Sequence, residues 1–300
     1  MKVLVIIVTY NAMRWIDRCL GSLRDSETSI DAFIVDNGSD DGTQDYIKRN
    51  FPNVLFHQSE TNLGFGKANN LGLQYAMDHN YDYVYLLNQD AWIFPDTVKN
   101  IIDVSKKHPE YAILSPFQMN ADLYHIDANF ANDTCSWRSN HDFLSDIYNN
   151  HLSEVYPVSF VMAAHWFMPI STIKKVGGFS PSFPHYGEDG NYIDRVCYNG
   201  LKVGIVPNLK VVHDRGWRED SKNKKLHIGY TSNIKRLSNP MCSTLKSFMT
   251  VIGFTFKNAI EIGSLRPLLD FLIILFHIGK IQKNKKLSAR KECAFLSYNE

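Results

Sequence analysis

A chain of 300 residues, 44% hydrophobic and 21% charged, is long enough to bury a sizeable core and too apolar to be disordered. The net charge of +1 hides a split, since residues 1–220 carry 18 Lys and Arg against 27 Asp and Glu while residues 221–300 carry 14 against 4. Such asymmetry points to two regions with different partners, the basic one facing something anionic. The five cysteines are far apart and form no C-x-x-C pair, which argues against a zinc site or a disulfide framework and suits a reducing compartment.

In chain order, the apolar run Val3–Val8 is too short for a signal peptide and passes straight into Thr9-Tyr10-Asn11 without a small-residue cleavage site. It reads as a buried first strand of a cytoplasmic protein. Trp15, Ile16, Cys19, Leu20 and Leu23 follow at helical spacing, and Phe33-Ile34-Val35 is a second strand ending in Asp36-Asn37-Gly38-Ser39. A helix is expected over 40–49, with Ser39 or Asp40 as its N-cap. Then come a strand over 54–57, a helix over 66–80 and a strand over 83–87. Repeated β-α units with continuous apolar strands predict an α/β fold, a mostly parallel central sheet with helices on both faces. From Ala112 to about Gly216 the pattern changes to shorter strands, loops and one helix. A domain boundary is expected near 220–240, dividing a body over 1–220 from a basic, apolar helical region over 221–300.

Ligands of such sheets bind beyond the carboxyl ends of the strands, where Asn11, Asp36, Asn37, Asn88 and Asp90 fall. A carboxylate there can accept the imide N–H of uracil or thymine, although Asp and Asn at strand ends also serve as ordinary caps and turns. The stretch Asn62-Leu63-Gly64-Phe65-Gly66-Lys67-Ala68-Asn69-Asn70 reads as a glycine turn opening a helix, where anions are stabilised. Lys67 is placed to meet a diphosphate, and Asn69 or Asn70 a hydroxyl. Leu86-Leu87-Asn88-Gln89-Asp90 is a strand ending in two amides and a carboxylate, and Asp90 is a candidate ligand for a cation that neutralises a departing diphosphate. Glu188-Asp189, after Phe183-Pro184-His185-Tyr186, suits general-base work, with helix capping as the bland alternative. His213, after the apolar pair Val211-Val212, is structural unless Asp90 lies beside it.

Each cluster is ambiguous alone; their order is not. V-T-Y-N (8–11), V-D-N-G-S-D-D-G-T (35–43), N-L-G-F-G-K-A-N-N (62–70), L-L-N-Q-D (86–90), V-G-G-F (176–179), Y-G-E-D (186–189) and H-D-R-G (213–216) together resemble family 2 glycosyltransferases of the GT-A fold. The bacterial rhamnosyl- and galactofuranosyl-type members look closest. The resemblance covers about residues 1–220 and implies an inverting, metal-dependent transfer from a dTDP- or UDP-sugar to a hydroxyl of a polysaccharide or lipid-linked acceptor. It implies a nucleotide pocket of Thr9, Tyr10, Asn11, Asp36 and Asn37, with Asp36 reading the base. Gly64, Phe65, Lys67, Asn69, Asn70 and Asn88 would complete the donor site. Mg²⁺ or Mn²⁺ would be held by Asp90 and His213, Asp189 would be the catalytic base, and Glu188 would support it or touch the acceptor. His165, Trp166, His185 and Tyr186 are candidates for acceptor stacking. Asn88 replaces the first acid of the family's D-x-D motif and Asn191 a frequent acid after E-D, which bears on metal strength and acceptor choice. These two amides also motivate a rival reading, a non-catalytic nucleotide-sugar-binding subunit of a polysaccharide assembly complex. A sugar-1-phosphate nucleotidyltransferase would need a glycine- and basic-rich loop after the first strand, which Thr9–Arg14 does not supply.

In the tail, the longest uninterrupted apolar run, Phe271–Phe276, is far below the roughly 18 residues that span a bilayer. Lys280, Lys283, Lys285, Lys286, Arg290 and Lys291 follow at once, the combination that interfacial attachment to anionic lipid requires. Contact with the cytoplasmic face of the inner membrane is therefore expected, with helix-mediated homo-oligomerisation as the alternative. Nucleic acid is not, because the aromatics there sit in apolar runs rather than between the charges.

Overall fold

A computed structural model describes residues 1–137, 139–183, 185–216 and 221–297. Pro184 of the aromatic stretch and Asp220 of the expected boundary lie outside the described residues. In chain order the elements begin β1 Val3–Thr9, α1 Ile16–Arg24, β2 Asp31–Asp36, α2 Thr43–Asn50, β3 Leu55–Gln58, α3 Phe65–Asp78, β4 Tyr83–Asn88, β5 Ala91–Trp92, α4 Thr97–Lys107 and β6 Tyr111–Met119. They continue with α5 Ala128–Asp133, α6 Phe143–Tyr148, β7 Tyr156–Pro157, β8 His165–Pro169, α7 Ile170–Val176, α8 Glu188–Tyr198 and β9 Lys202–His213. The basic region forms α9 Lys222–Ser238, α10 Thr244–Ile262, α11 Arg266–Phe276 and α12 Ile278–Ser288.

Among the described residues the strands form one sheet in the order β3-β2-β1-β4-β8-β6-β9-β5, with β7 on β9. The half β3-β2-β1-β4 is parallel, as the repeated β-α units require. β8 then runs antiparallel to both β4 and β6, so the second half of the sheet is mixed. β1 shows why helices cover both faces. Leu4 and Ile6 enter a core shared with Leu73 of α3 and with Ile173, Val176 and Tyr192 of α7 and α8. Val3, Val5 and Ile7 enter the opposite core with Ile16, Cys19 and Leu20 of α1 and Ile101 of α4. Fully burying each such aliphatic side chain contributes about 1.5–3 kcal/mol, which holds β1 at the centre of the sheet.

Two expectations change. Residues 112–216 hold four helices rather than one, and β9 is a long strand whose continuity is masked in the sequence by Pro207-Asn208, where its register with β6 slips. The N-cap of α2 is Gly42 at φ 92°, not Ser39 or Asp40. Asp41 performs the capping one residue earlier, accepting from the Thr43 N–H at 3.0 Å, while Ser39 turns to Asp36.

The C-terminal helices do not hang free. Phe183, from the segment before α8, is buried with Ile234, Leu237, Val251, Ile274 and Ile281. The chain then returns to the sheet side: the Cys293 N–H donates to the Lys174 carbonyl at 2.9 Å and the Gly178 N–H to the Ala294 carbonyl at 2.8 Å. Among the described residues no helix is long and apolar enough to cross a membrane.

Candidate active site at the strand tips

Register brings the chemistry together. Thr9 pairs with Asp36 and Val8 with Asn88, so the ends of β1, β2 and β4 sit side by side. Asp36 is fully buried, and its carboxylate holds the loop together. Oδ1 accepts from the N–H groups of Gly38 (3.1 Å) and Ser39 (2.9 Å) and from Gln44 Nε2 (2.7 Å). Oδ2 accepts from the hydroxyls of Thr9 (2.8 Å) and Ser39 (2.6 Å). Five internal donors occupy its lone pairs, so Asp36 shapes the pocket rather than presenting an acceptor to a base. Asn37 stands next in the turn, with its Oδ1 3.3 Å from the Leu63 N. Beside them the Tyr10 ring is half exposed at 50%. Asn11, at φ 51°, accepts from the Asp40 N–H on its side chain and donates its own N–H to Ser39. Gln89 clamps Tyr10 from the tip of β4, accepting from its N–H at 2.7 Å and donating to its carbonyl at 3.2 Å.

Around Asp90 the structure makes a chain of three side chains. His213 Nε2 is 3.5 Å from Asp90 Oδ1, and His213 Nδ1 is 3.5 Å from Asp127 Oδ2. Asp127 is the N-cap of α5, with Oδ1 accepting from the Phe130 N–H at 2.8 Å, and its Oδ2 is buried without a hydrogen bond. Neither imidazole nitrogen makes one either, although His213 is 1% exposed. Burial pushes the Asp90 carboxyl up, but His213 and Arg215 outweigh it and the net lies below the ordinary carboxylate range. His213 Nε2, unpartnered by any hydrogen bond, faces the partly buried Asp90 carboxylate at 3.5 Å, a spacing that suits two neighbouring ligands of a small divalent cation, about 3 Å apart. No group of three or more His, Cys, Asp or Glu suited to a metal occurs among the described residues, so further ligands would come from the donor's phosphates and water.

Across from this chain lies the start of α8. Asp189 Oδ2 accepts from the Ala163 N–H at 3.0 Å, and the neighbouring Ala164 carbonyl accepts from the Asn88 N–H at 3.0 Å. Residues 163–164 therefore join the acid of α8 to the tip of β4. The Arg215 guanidinium acts on both sides, lowering Asp90 and Asp189 alike. Burial nevertheless pushes Asp189 above the carboxylate range, against the Ala163 N–H, Arg215 and Lys235. Glu188 is also raised, by burial first and by the Asp189 charge second, and its Oε2 is buried without a partner. Gly66 lets α3 approach this point: a Cβ there would lie 2.9 Å from Phe179 Cβ and 3.9 Å from Glu188 Cβ. Gly187 takes φ 93°, which starts α8 in a turn that side chains avoid.

Several expected residues have other work. Asn70 donates to the Phe179 carbonyl at 2.9 Å and accepts from its N–H at 2.6 Å, pinning the 177–179 turn instead of facing open space. Asn69 is buried and donates to the Phe65 carbonyl, and Phe65 packs edge-on against Phe179. Trp166 is fully buried with its indole N–H on the Val161 carbonyl, so it offers no face to an acceptor. His165 is buried too, between the Tyr85 hydroxyl and the Val212 carbonyl, and burial pushes it down to about 3. Both were expected to stack on the acceptor; β8 lies in the middle of the sheet, which puts them in the core. His185 is exposed and Tyr186 half-buried, their ring centres 4.0 Å apart with the planes tilted by 50°. Lys67 is exposed, with Gly64, on a cavity towards α9 and α12. Sequence reasoning missed Asp127, and Gln89 and Arg215 entered it only as members of the L-L-N-Q-D and H-D-R-G motifs, without a role of their own.

This sheet order, with polar strand tips and an acidic helix start across from them, is that of a GT-A glycosyltransferase. The sequence profile described as Glycosyl transferase family 2 matches residues 4–163, just over half of the chain, and the chain belongs to that family. It is 25% identical over 231 residues to the N-acetylglucosaminyl-diphospho-decaprenol L-rhamnosyltransferase of Mycobacterium tuberculosis, covering 70% of this chain and 75% of the relative. Solved structures share the fold. A mannosyltransferase from Pyrobaculum calidifontis in complex with GDP-Man and Mn²⁺ matches with a TM-score of 0.56 at 16% identity, covering 96% of this chain and 84% of that one. S. aureus TarS with UDP-GlcNAc matches with a TM-score of 0.54 at 14% identity, covering 87% and 73%.

Because Asp36 satisfies five donors, Asp36→Ala strands them at the pocket floor. The buried Thr9 hydroxyl left unpaired costs about 1–3 kcal/mol and the part-buried donors add less, so urea unfolding of this variant should show a loss of about 3 kcal/mol. A loss below about 1 kcal/mol would mean that the carboxylate is not the organiser of the loop.

Proposed function

We propose that the chain is an inverting glycosyltransferase that moves a sugar from a dTDP- or UDP-sugar to a hydroxyl of a polysaccharide or lipid-linked acceptor. The observation that carries this reading is the junction at 163–164, which sets the raised Asp189 carboxyl beside the β4 tip that leads to Asp90. Tyr10 supplies a ring face for the base, with the Asn37 amide at its edge. Asp90 and His213 would hold Mg²⁺ or Mn²⁺, which neutralises the charge developing on the departing diphosphate. Asp189 takes the proton of the acceptor hydroxyl as its oxygen bonds to the anomeric carbon and the bond to the diphosphate breaks on the opposite face. One displacement inverts the centre. Glu188 keeps Asp189 company in a desolvated pocket, where its own raised carboxyl is a hydrogen-bond donor to the base or the acceptor. Acceptor classes in the names of relatives, a diphospho-decaprenol among them, support a lipid-linked acceptor here.

A carboxyl raised by burial sets the acid limb of the rate. As pH falls through that raised pKa the base becomes protonated, so kcat/KM should drop at a pH above the ordinary carboxylate range. Asp189→Asn should remove that limb and lower transfer by about 10²–10⁴-fold, with nucleotide affinity nearly unchanged. Full turnover in the variant refutes the base assignment; nucleotide binding without turnover in the unaltered protein, over a broad panel of donors and acceptors, favours the non-catalytic subunit.

Asp127 Oδ2 faces the far nitrogen of His213 at 3.5 Å, where the outer partner of a metal-ligating histidine stands. Asp127→Asn should weaken Mn²⁺ binding about 10- to 100-fold by calorimetry in the presence of UDP, and unchanged binding would count against the Asp90–His213 site.

The C-terminal region supports the second part of the reading, a body over 221–300 that attaches the enzyme to the cytoplasmic face of the inner membrane. Leu265, Leu269, Leu272 and Phe276 form an exposed stripe on α11, and Met249, Phe256 and Ile260 another on α10. The lysines of α12 follow, each worth about 1 kcal/mol near an anionic surface. The protein should sediment with vesicles containing phosphatidylglycerol and not with neutral ones at physiological salt. Equal recovery in both supernatants, with a dimer in solution, favours the oligomer instead.

A further inference from the structure

The segment that leads into α8 is roofed by the C-terminal helices. Asn284 Nδ2 donates to Ser182 Oγ at 2.5 Å, and His227 Nε2 lies 3.0 Å from the His185 carbonyl. Phe183 anchors the same segment in the helical cluster. Between the first turn of α3, this segment, α9 and α12 lies a cavity of about 570 Å³, a size ordinary for ligand sites. Lys67, His185, His277 and Lys280 reach it, while Tyr230 and Ile281 form part of its apolar wall. Among the described residues no acidic side chain lines it. Neither lysine has an ion-pair partner among the described residues. Two ammonium groups bordering one space repel one another, and an anion between them relieves that repulsion while the imidazoles offer it N–H donors.

The mouth of the cavity has a second property. His277, which lines it, directly follows Phe276, the most exposed residue of the α11 stripe at 86%. A cationic chamber thus opens beside a solvent-facing row of Leu269, Leu272 and Phe276. That pairing suits one molecule with a phosphorylated head and a hydrocarbon tail. We propose that the cavity binds the phosphate or diphosphate of an amphiphilic acceptor, whose chain runs along α11 while its sugar reaches Asp189. The assignment of the acceptor role rests on the proposed transferase reading, because His185 stands only four residues before the base. The site itself does not. An acceptor held by its phosphate at α12 and by its hydroxyl at α8 would be positioned by two separate bodies of the chain, which explains why the helices are packed onto the catalytic sheet instead of being tethered to it.

The test uses the full chain and three probes, inorganic pyrophosphate, farnesyl diphosphate and farnesol, titrated calorimetrically in EDTA so that the proposed metal site does not contribute. Farnesyl diphosphate should bind at least about tenfold more tightly than pyrophosphate, and farnesol should give no saturable binding. His277→Gln together with Lys280→Gln, both at exposed positions, should weaken farnesyl diphosphate by about tenfold or more. UDP and dTDP affinity measured with Mn²⁺ should stay within about twofold. Equal affinity for pyrophosphate and farnesyl diphosphate overturns the amphiphile in favour of a free phosphate. Parallel loss of nucleotide binding overturns it in favour of the donor, and an unaffected double variant removes the site altogether. Farnesyl diphosphate binding that survives in a protein with no transferase activity sinks the transferase reading alone, so the two failures are distinguishable.

Discussion

β1 is buried on both faces, and that single constraint organises the molecule. With one row of its side chains packed under α3 and the other under α1 and α4, the strand has no polar position until Thr9. Parallel pairing then fixes where polarity appears in its neighbours, at Asp36 on one side and Asn88 on the other. The hydrogen bond from Thr9 to Asp36 closes this frame, and the turns at 9–13 and 36–44 are laced to each other through Ser39, Asp41 and Thr43. A pocket built this way is preorganised, since its donors and acceptors are committed before any ligand arrives.

The second half of the sheet adds what the first cannot. β8 enters antiparallel beside β4, which brings residues 163–164 to the β4 tip and delivers α8 from the same side. β9 runs far enough to carry His213 past Asp90, and the β5 pairing of Ala91 with His213 locks that approach. The result sets the Asp90–His213 pair and the Glu188–Asp189 pair on either side of one guanidinium. Arg215 reaches Met162 Sδ at 3.5 Å and stands 3.9 Å from Asp127, so it touches both halves of the arrangement.

The basic helices belong to the same mechanical unit. Lys235 of α9 lies against the first turn of α8, where a Cβ on Gly190 would meet its Nζ at 2.7 Å. Phe183, Asn284 and the returning 293–297 strand of chain hold the helical body on the sheet at separate points. The surface of α11 and α12 is thereby one packed layer away from the acid of α8, and the residues on either side of the charge split pack together in one fold.

The four strands of the parallel half and the polar residues at their tips were legible in the sequence because a strand buried on both faces has one simple signature: no polar residue until it ends. The pairing of Asp90 with His213 came from the family resemblance, because a histidine after an apolar strand is by itself as readily structural. Whether a tip residue faces a ligand or its own loop is a different matter, because a carboxylate can be satisfied by either. Only the tertiary structure shows Asp36 saturated by five local donors and Asn70 bound to Phe179, 109 residues away. Trp166 and His165 were candidates for acceptor stacking; the antiparallel insertion of β8 into the sheet, a long-range pairing with no local cue, buried them. Asp127 and the cavity beneath α12 were likewise decided by contacts between segments far apart in the chain, which composition and periodicity do not encode.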